Sequence, residues 1–234
     1  MNYKILFTDL DDTVFDSSSL YKQAIEMSWE HLRKFYNISL EDFQRVFLEI
    51  RTSLKTEYVH KTISHHRVVL FEKLLEYFKI PFNAGLLLEM DRTYWFCVNT
   101  YIQPFPTVID TLNKIKEANV KILGLSDGTI LDRLGNIDSL KMSKYFDHLV
   151  SSEEVINTKP ELDMFNLALK KANCLKEDVL FVGDSWEEDV VGGKSFGVQT
   201  VWFNPSNEVA PNNSIIKPDH TISEFSELLK ILNI

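Results

Sequence analysis

Between Asp16 and Tyr101 the chain carries four amphipathic helical patterns in succession, with strand patterns standing on both sides of that stretch. Ahead of it, Tyr3-Lys4-Ile5-Leu6-Phe7-Thr8 reads as a strand, broken off by Asp9-Leu10-Asp11-Asp12. Within it, Ile25, Trp29, Leu32 and Tyr36 recur at helical spacing, and Phe43, Val46, Phe47, Ile50 and Leu54 follow an expected N-cap at Ser39. A third set is Leu70, Phe71, Leu74, Leu75 and Phe78, stopped by Pro81. The fourth is Leu87, Met90, Tyr94, Val98 and Tyr101, stopped near Pro104 and Pro106. Four such helices without a strand between them predict a small bundle.

After Pro106 the rhythm becomes alternating. Helices are predicted at 107–118, near 129–140, at 161–173 and at 187–196, with strands at 120–126, 146–151, 178–183 and 198–203. A last strand and helix are predicted near 219–232, after a loop at 204–218 rich in Asn, Pro and Ser. Alternation of this kind builds a parallel sheet with helices on both faces. The expected fold is therefore an open, doubly wound α/β sheet whose first strand precedes an inserted helical module. Residues 1–15 and 102–234 would form the sheet domain and residues 16–101 the module. Ligands of open α/β sheets bind at the carboxyl edge of the strands, so the module would lie over the site.

Composition excludes several classes. Apolar residues make up 44% and charged residues 25% of the 234, which is ordinary for a globular chain and unlike a disordered one. No apolar stretch approaches the ~20 residues that span a bilayer, and the N-terminal run is too short for a secretory signal. Cys97 and Cys174 are too few for a disulfide framework and lack metal-ligand spacing, so both are expected as buried thiols and the cytoplasm as the compartment. The net charge of −9 argues against a nucleic-acid polymer as partner. Residues 16–100 are balanced between acids and bases, so the acid excess lies in the flanking segments. A monomer or a homodimer is expected.

Four polar clusters each follow a predicted strand: Asp9-Leu10-Asp11-Asp12-Thr13, Ser126-Asp127-Gly128, Lys159-Pro160, and Gly183-Asp184-Ser185 with Asp189. In a parallel sheet they would converge on one edge and bring at least three carboxylates together. Such like charges need a counter-charge, which predicts a divalent cation and a role for Lys159. Oxygen donors without His or Cys point to Mg²⁺ and away from zinc. Taken one at a time, the same residues also suit turns, helix caps and a solvated loop lysine; their order along the chain is what sets them apart.

In these residues the sequence resembles the haloacid dehalogenase superfamily over nearly its whole length. The family's Asp-x-Asp-x-Thr is matched by Asp9, Asp11 and Thr13, its strand-ending Ser/Thr by Ser126, its Lys before a helix by Lys159, and its Gly-Asp-x-x-x-x-Asp by Gly183, Asp184 and Asp189. The resemblance implies a Rossmann-like core with a C1-type helical cap, and a phosphatase acting through an aspartyl-phosphate. Asp9 would be the nucleophile and Asp11 the general acid and base. Ser126, Asp127 through its backbone N–H, Gly128 and Lys159 would bind the phosphoryl oxygens. Mg²⁺ would be held by Asp9, the carbonyl of Asp11, and Asp184, with Asp189 as a further or outer contact. Two positions depart from the pattern: Asp12 replaces a usual Gly, and Asp127 an Asn common in relatives. The family's dehalogenases lack an acid at the position of Asp11, so its presence favours a phosphatase.

The run Lys55 to Arg67 falls where the family places a specificity loop, between the second and third cap helices. His60, Lys61, His65, His66 and Arg67 would there bind an anionic or hydrogen-bonding leaving group, or form a solvated basic turn; both readings stand. The run Thr200-Val201-Trp202-Phe203-Asn204 looks most like the branch of pyrimidine 5′-nucleotidases and phosphoglycolate phosphatase-like enzymes. The expected substrate is a small phosphomonoester, with a nucleoside 5′-monophosphate as one candidate and Phe15, Tyr58, Tyr94 and Trp95 as stacking residues or core. The alternatives are a phosphomutase of the same family and a non-catalytic phospho-ligand or signalling protein.

Overall fold

Alternation along one short strand sets the layering of the molecule. In the computed structural model, which describes residues 3–212 and 214–234, β1 (Ile5–Thr8) runs through the middle of the sheet with every residue buried. Met1, Asn2 and Asn213, at the chain start and in the 204–218 loop, lie outside the described residues. Leu6 turns to one face of the sheet, with Ile122, Leu180 and Val182; Ile5 and Phe7 turn to the other, with Leu123, Leu125 and Phe181. This is the period-two geometry of a strand covered on both sides.

The chain passes from β1 through β2 (Phe15–Asp16) into four helices, α1 (Ser18–Leu32), α2 (Leu40–Glu57), α3 (Arg67–Tyr77) and α4 (Ala84–Tyr101), and returns by β3 (Gln103–Pro104). β2 and β3 pair antiparallel, so the outgoing and returning chains are tied at the root of the helical module. Then come α5 (Val108–Glu117), β4 (Lys121–Ser126), α6 (Ile130–Ser139), β5 (His148–Ser151), α7 (Asp163–Ala172) and β6 (Val179–Gly183). The chain ends with a π-helical turn at Trp186–Val191, α8 (Gly192–Phe196), β7 (Gln199–Phe203), β8 (His220–Ile222) and α9 (Leu228–Leu232).

The six long strands form one sheet in the order β5-β4-β1-β6-β7-β8, parallel throughout. The path moves outward from β1 through β4 to β5 and then returns to β1's other side with β6. That reversal is a topological switch point, and it opens a crevice at the carboxyl ends of β1, β4 and β6. Helices α5 and α9 pack on one face and α7 and α8 on the other. This is the Rossmann-like α/β architecture expected from the sequence, with the helical bundle between β1 and β4.

Ser39 and Asn83 start their helices as side-chain caps, accepting from the backbone N–H of Asp42 (3.1 Å) and Leu86 (3.0 Å). Tyr36 and Phe78, read as helical, instead lie just past α1 and α3 and pack against the core from the turns. The predicted helix at 187–196 opens with a π turn, in which both Asp189 N–H and Val190 N–H reach the Ser185 carbonyl. No helix among the described residues is long and apolar enough to cross a membrane. Cys97 is buried and Cys174 half-buried, both with free thiols.

Candidate active site

Three of the polar clusters meet because each ends a neighbouring strand, and the segment after β5 brings the fourth, Lys159-Pro160, to them. Asp9 follows β1, and its N–H donates to the Val182 carbonyl on β6 at 2.9 Å. Thr8 pairs in register with Gly124 on β4 and Val182 on β6, so Ser126 and Asp184 come up on either side of Asp9. Lys159, from the segment between β5 and α7, is 1% exposed. Its Nζ donates to Asp9 Oδ1 and Asp189 Oδ1, both at 2.6 Å, and lies 3.5 Å from Asp127 Oδ2.

One ammonium therefore faces three buried carboxylates, with Asp184 nearby. Burial pushes the Asp9 carboxyl well above the usual carboxylate range; Lys159 opposes this, while Asp189, Asp184 and Asp11 add to it. Burial and Asp189 raise Asp184 to about 8, and burial raises Asp127 to about 7. Burial alone would lower the Lys159 pKa, but Asp189, Asp9 and Asp127 hold it above its ordinary value. The pocket is short of positive charge.

Carboxylate oxygens of Asp9, Asp184 and Asp189 all lie within 4.8 Å of one another. An all-oxygen, acid-rich set of this size, with pKa values raised by burial and by the neighbouring carboxylates, fits a hard divalent cation such as Mg²⁺. Thr13 Oγ1 donates to Asp184 Oδ1 at 2.9 Å and orients it. Asp189 is oriented by the Ser185 N–H at 3.0 Å. Gly183 is required beside it, since a Cβ there would stand 2.3 Å from Asp189 Cγ.

Asp11 stands apart from that trio. Its carboxylate is ion-paired to Arg133 of α6, and it accepts from Ser126 Oγ and Tyr21 Oη at 3.4 Å each. Asp12 has a positive φ of 57° and turns away to cap α1, accepting from the N–H groups of Ser17 and Ser18 at 3.0 and 2.9 Å. Its side chain therefore caps a helix, which explains how an acid stands at this turn. The Asp127 side chain accepts from the Lys159 backbone N–H at 2.9 Å, and Gly128 N–H donates to Ser126 Oγ at 3.2 Å.

Over this edge, a cavity of about 160 Å³ lies between the sheet and the helical module. Asp9, Asp11, Ser126, Asp127, Gly128, Asp184 and Asp189 line its floor, and His65, Arg67 and Trp95 come from the module. The basic loop divides. The His60 carbonyl accepts from Thr158 N–H at 2.9 Å and Lys61 Nζ donates to Asn157 Oδ1 at 2.6 Å, so these two dock the module beside Lys159. His65 and Arg67 face the cavity, whereas His66 does not line it and its Nδ1 is buried without a partner. Of the aromatics, Phe15 and Tyr94 are fully buried and Tyr58 packs against the core, which leaves Trp95 on the cavity wall.

Sequence reasoning passed over Arg133, Arg51 and Tyr21. Arg133 carries a local signal, one helical turn after Thr129, whose side chain caps α6. A lone arginine there has no meaning until α6 is packed beside Asp11.

A model of the haloacid dehalogenase-like hydrolases matches residues 5–203. The chain belongs to that family. Among curated relatives, it is 26% identical to a ribulose-1,5-bisphosphate 5-phosphatase of Halopiger xanaduensis, over 98% of each chain. It is 28% identical to a pyrimidine 5′-nucleotidase of Escherichia coli, over 99% of each. Among solved structures, a magnesium-bound HAD-hydrolase of Bacillus subtilis superposes with a TM-score of 0.76 at 22% identity, covering both chains in full.

Proposed function

We propose that this haloacid dehalogenase-like hydrolase is a Mg²⁺-dependent phosphatase of small phosphomonoesters. The observation that carries the reading is Asp9, buried at a strand end against Lys159, with Asp11 two residues on facing the same cavity. Both curated relatives named above are phosphatases or nucleotidases of small phosphorylated compounds, which supports it. Residues 16–101 serve as the cap, and residues 1–15 with 102–234 as the catalytic core.

Asp9 attacks phosphorus through a carboxylate oxygen; the P–O bond to the leaving group breaks, and Asp11 supplies the proton to the departing oxygen. Water then attacks the aspartyl-phosphate with Asp11 taking its proton, and the bond from phosphorus to Asp9 breaks to release phosphate. Lys159, Ser126 and the backbone N–H groups of Asp127 and Gly128 stabilise the phosphoryl oxygens as charge builds on them. Asp9 and Asp184, with Asp189 behind them, would hold Mg²⁺, which neutralises part of that charge when bound. The cap keeps bulk water from the intermediate. A nucleoside leaving group would have Trp95 as its aromatic contact.

The test is phosphate release from nucleotides, sugar phosphates, phosphoglycolate and p-nitrophenyl phosphate, with and without Mg²⁺, using wild type beside Asp9→Asn and Asp11→Asn. Release should require Mg²⁺, vanish in Asp9→Asn, and fall by roughly 10²–10⁴ in Asp11→Asn. A sugar phosphate isomerised without phosphate release would instead indicate a phosphomutase. Full release by Asp9→Asn would overturn the nucleophile assignment.

A further inference from the structure

Three arginines share the cavity with its carboxylates, and two of them keep a buried donor that meets no acceptor among the described residues. Arg51 of α2, Arg67 at the start of α3 and Arg133 of α6 come from three separate elements and line one cavity. Arg133 is 3% exposed; one side of its guanidinium meets Asp11, and its Nε is buried with no hydrogen-bond acceptor among the described residues. Arg67 Nε is also buried with no acceptor among those residues. Among the described residues, neither Arg51 nor Arg67 forms an ion pair with a carboxylate. The Arg67 guanidinium carbon sits 4.4 Å from the ring centroid of Tyr94, and that of Arg133 lies 5.6 Å from the centroid of Trp95. The ring faces attract the two cations, and the Tyr94 hydroxyl accepts from neither of them among the described residues.

A buried guanidinium donor without an acceptor is costly. In the phosphatase reading Lys159 and the divalent-cation trio serve the transferring phosphoryl group, which leaves the arginines of the same cavity for the leaving group. Asp132 lines the same cavity and attracts both arginines, but it accepts no hydrogen bond from either Nε. A neutral leaving group would leave both Nε donors unmet, whereas a carboxylate or phosphate offers them oxygens in planar or forked geometry.

We propose, resting on the phosphatase reading above, that the leaving group carries a second anionic group, held at the far end of the cavity by Arg67 and Arg133 with Arg51 beside them. Asp11 then stands between the two anions of one substrate: the ester oxygen it protonates on one side, and the arginine-bound anion on the other. The substrate class is a short phosphomonoester bearing a carboxylate or a second phosphate.

Matched pairs test it. 2-Phosphoglycolate is compared with 2-hydroxyethyl phosphate for a carboxylate, and ribulose 1,5-bisphosphate with ribulose 5-phosphate for a second phosphate. With wild-type protein, kcat/KM for the anion-ended member of at least one pair should exceed that of its neutral-ended partner by about tenfold or more, and the pair that does so identifies the anion. In Arg67→Gln that ratio should collapse toward one, because its lost donors serve only the far anion; Arg133→Gln also removes the ion-pair partner of Asp11, so it should lower kcat/KM for both members of a pair and for the anion-ended member more. Ratios near one for both pairs in wild type, or ratios untouched by either substitution, overturn the proposal. Should a Gln variant fail to fold, Arg67→Lys and Arg51→Gln take its place, and the wild-type ratios stand on their own. p-Nitrophenyl phosphate separates the two levels. If no ester at all is hydrolysed, the phosphatase reading falls, and calorimetric titration of the same pairs into wild type still decides the anion site.

Discussion

Removing the Lys159 ammonium would leave Asp9, Asp127 and Asp189 buried without the cation they share. Breaking a buried ionic cluster by deleting one sign costs more than the cluster contributes when whole, because the desolvated charges remain. Lys159→Met should therefore destabilise the metal-free protein by about 3–5 kcal/mol, read from urea unfolding in the presence of a chelator. A loss under about 1 kcal/mol would mean the carboxylates escape by taking up protons. His65 makes a second prediction at this scale. Burial lowers its pKa from 6.5 to about 4, so it folds neutral. Between those values the unfolded chain binds the extra proton, and stability present above pH 6.5 is lost as pH falls toward 4. His65→Gln should flatten the dependence of unfolding free energy on pH across that window, and an unchanged slope would assign it to other groups.

At the scale of elements, the π turn at Trp186–Val191 shows how a site reshapes a helix. Asp189 reaches back to Lys159 and to the Ser185 N–H, and the wider turn lets it do so. The space it enters exists because residue 183 has no side chain. Gly183→Ala should cost about 1–3 kcal/mol from overpacking and should lower kcat more than it raises KM, since it displaces Asp189 while leaving the cap wall alone. An unaffected kcat in a destabilised variant would show that Asp189 shifts freely. Most elements were readable from periodicity alone: the four cap helices, the N-cap at Ser39 and the core strands stand where the apolar spacing predicts. The ribbon of β2 and β3 was not readable, because two residues on each side carry no period; only the pairing of Phe15 with Pro104 reveals it.

Across the whole molecule, one apolar cluster runs from the cap into the core. Leu32, Phe71, Met90 and Val98 of the cap join Leu10, Val14, Leu112 and Leu180 without a break. A shared core couples the two parts, so they should unfold together. Trp29 and Trp95 stand in the cap helices, and Trp186 and Trp202 on the sheet side. Urea transitions followed by tryptophan fluorescence and by far-ultraviolet circular dichroism should coincide, and variants keeping tryptophan in only one part should give the same midpoint. Separate midpoints would show a cap that melts on its own. The strand that precedes the insertion, the four motif clusters and the inserted bundle follow from local pattern: alternation, helical spacing and the position of acids after apolar runs are all short-range properties of a chain. The pairing of Arg133 with Asp11, the burial of Tyr94 and Phe15 in the core, the docking of His60 and Lys61 beside Lys159, and the exclusion of His66 from the cavity are different in kind. Each depends on which surfaces of two distant elements come into contact, and that is set by packing of the whole, which leaves no periodic trace in either element.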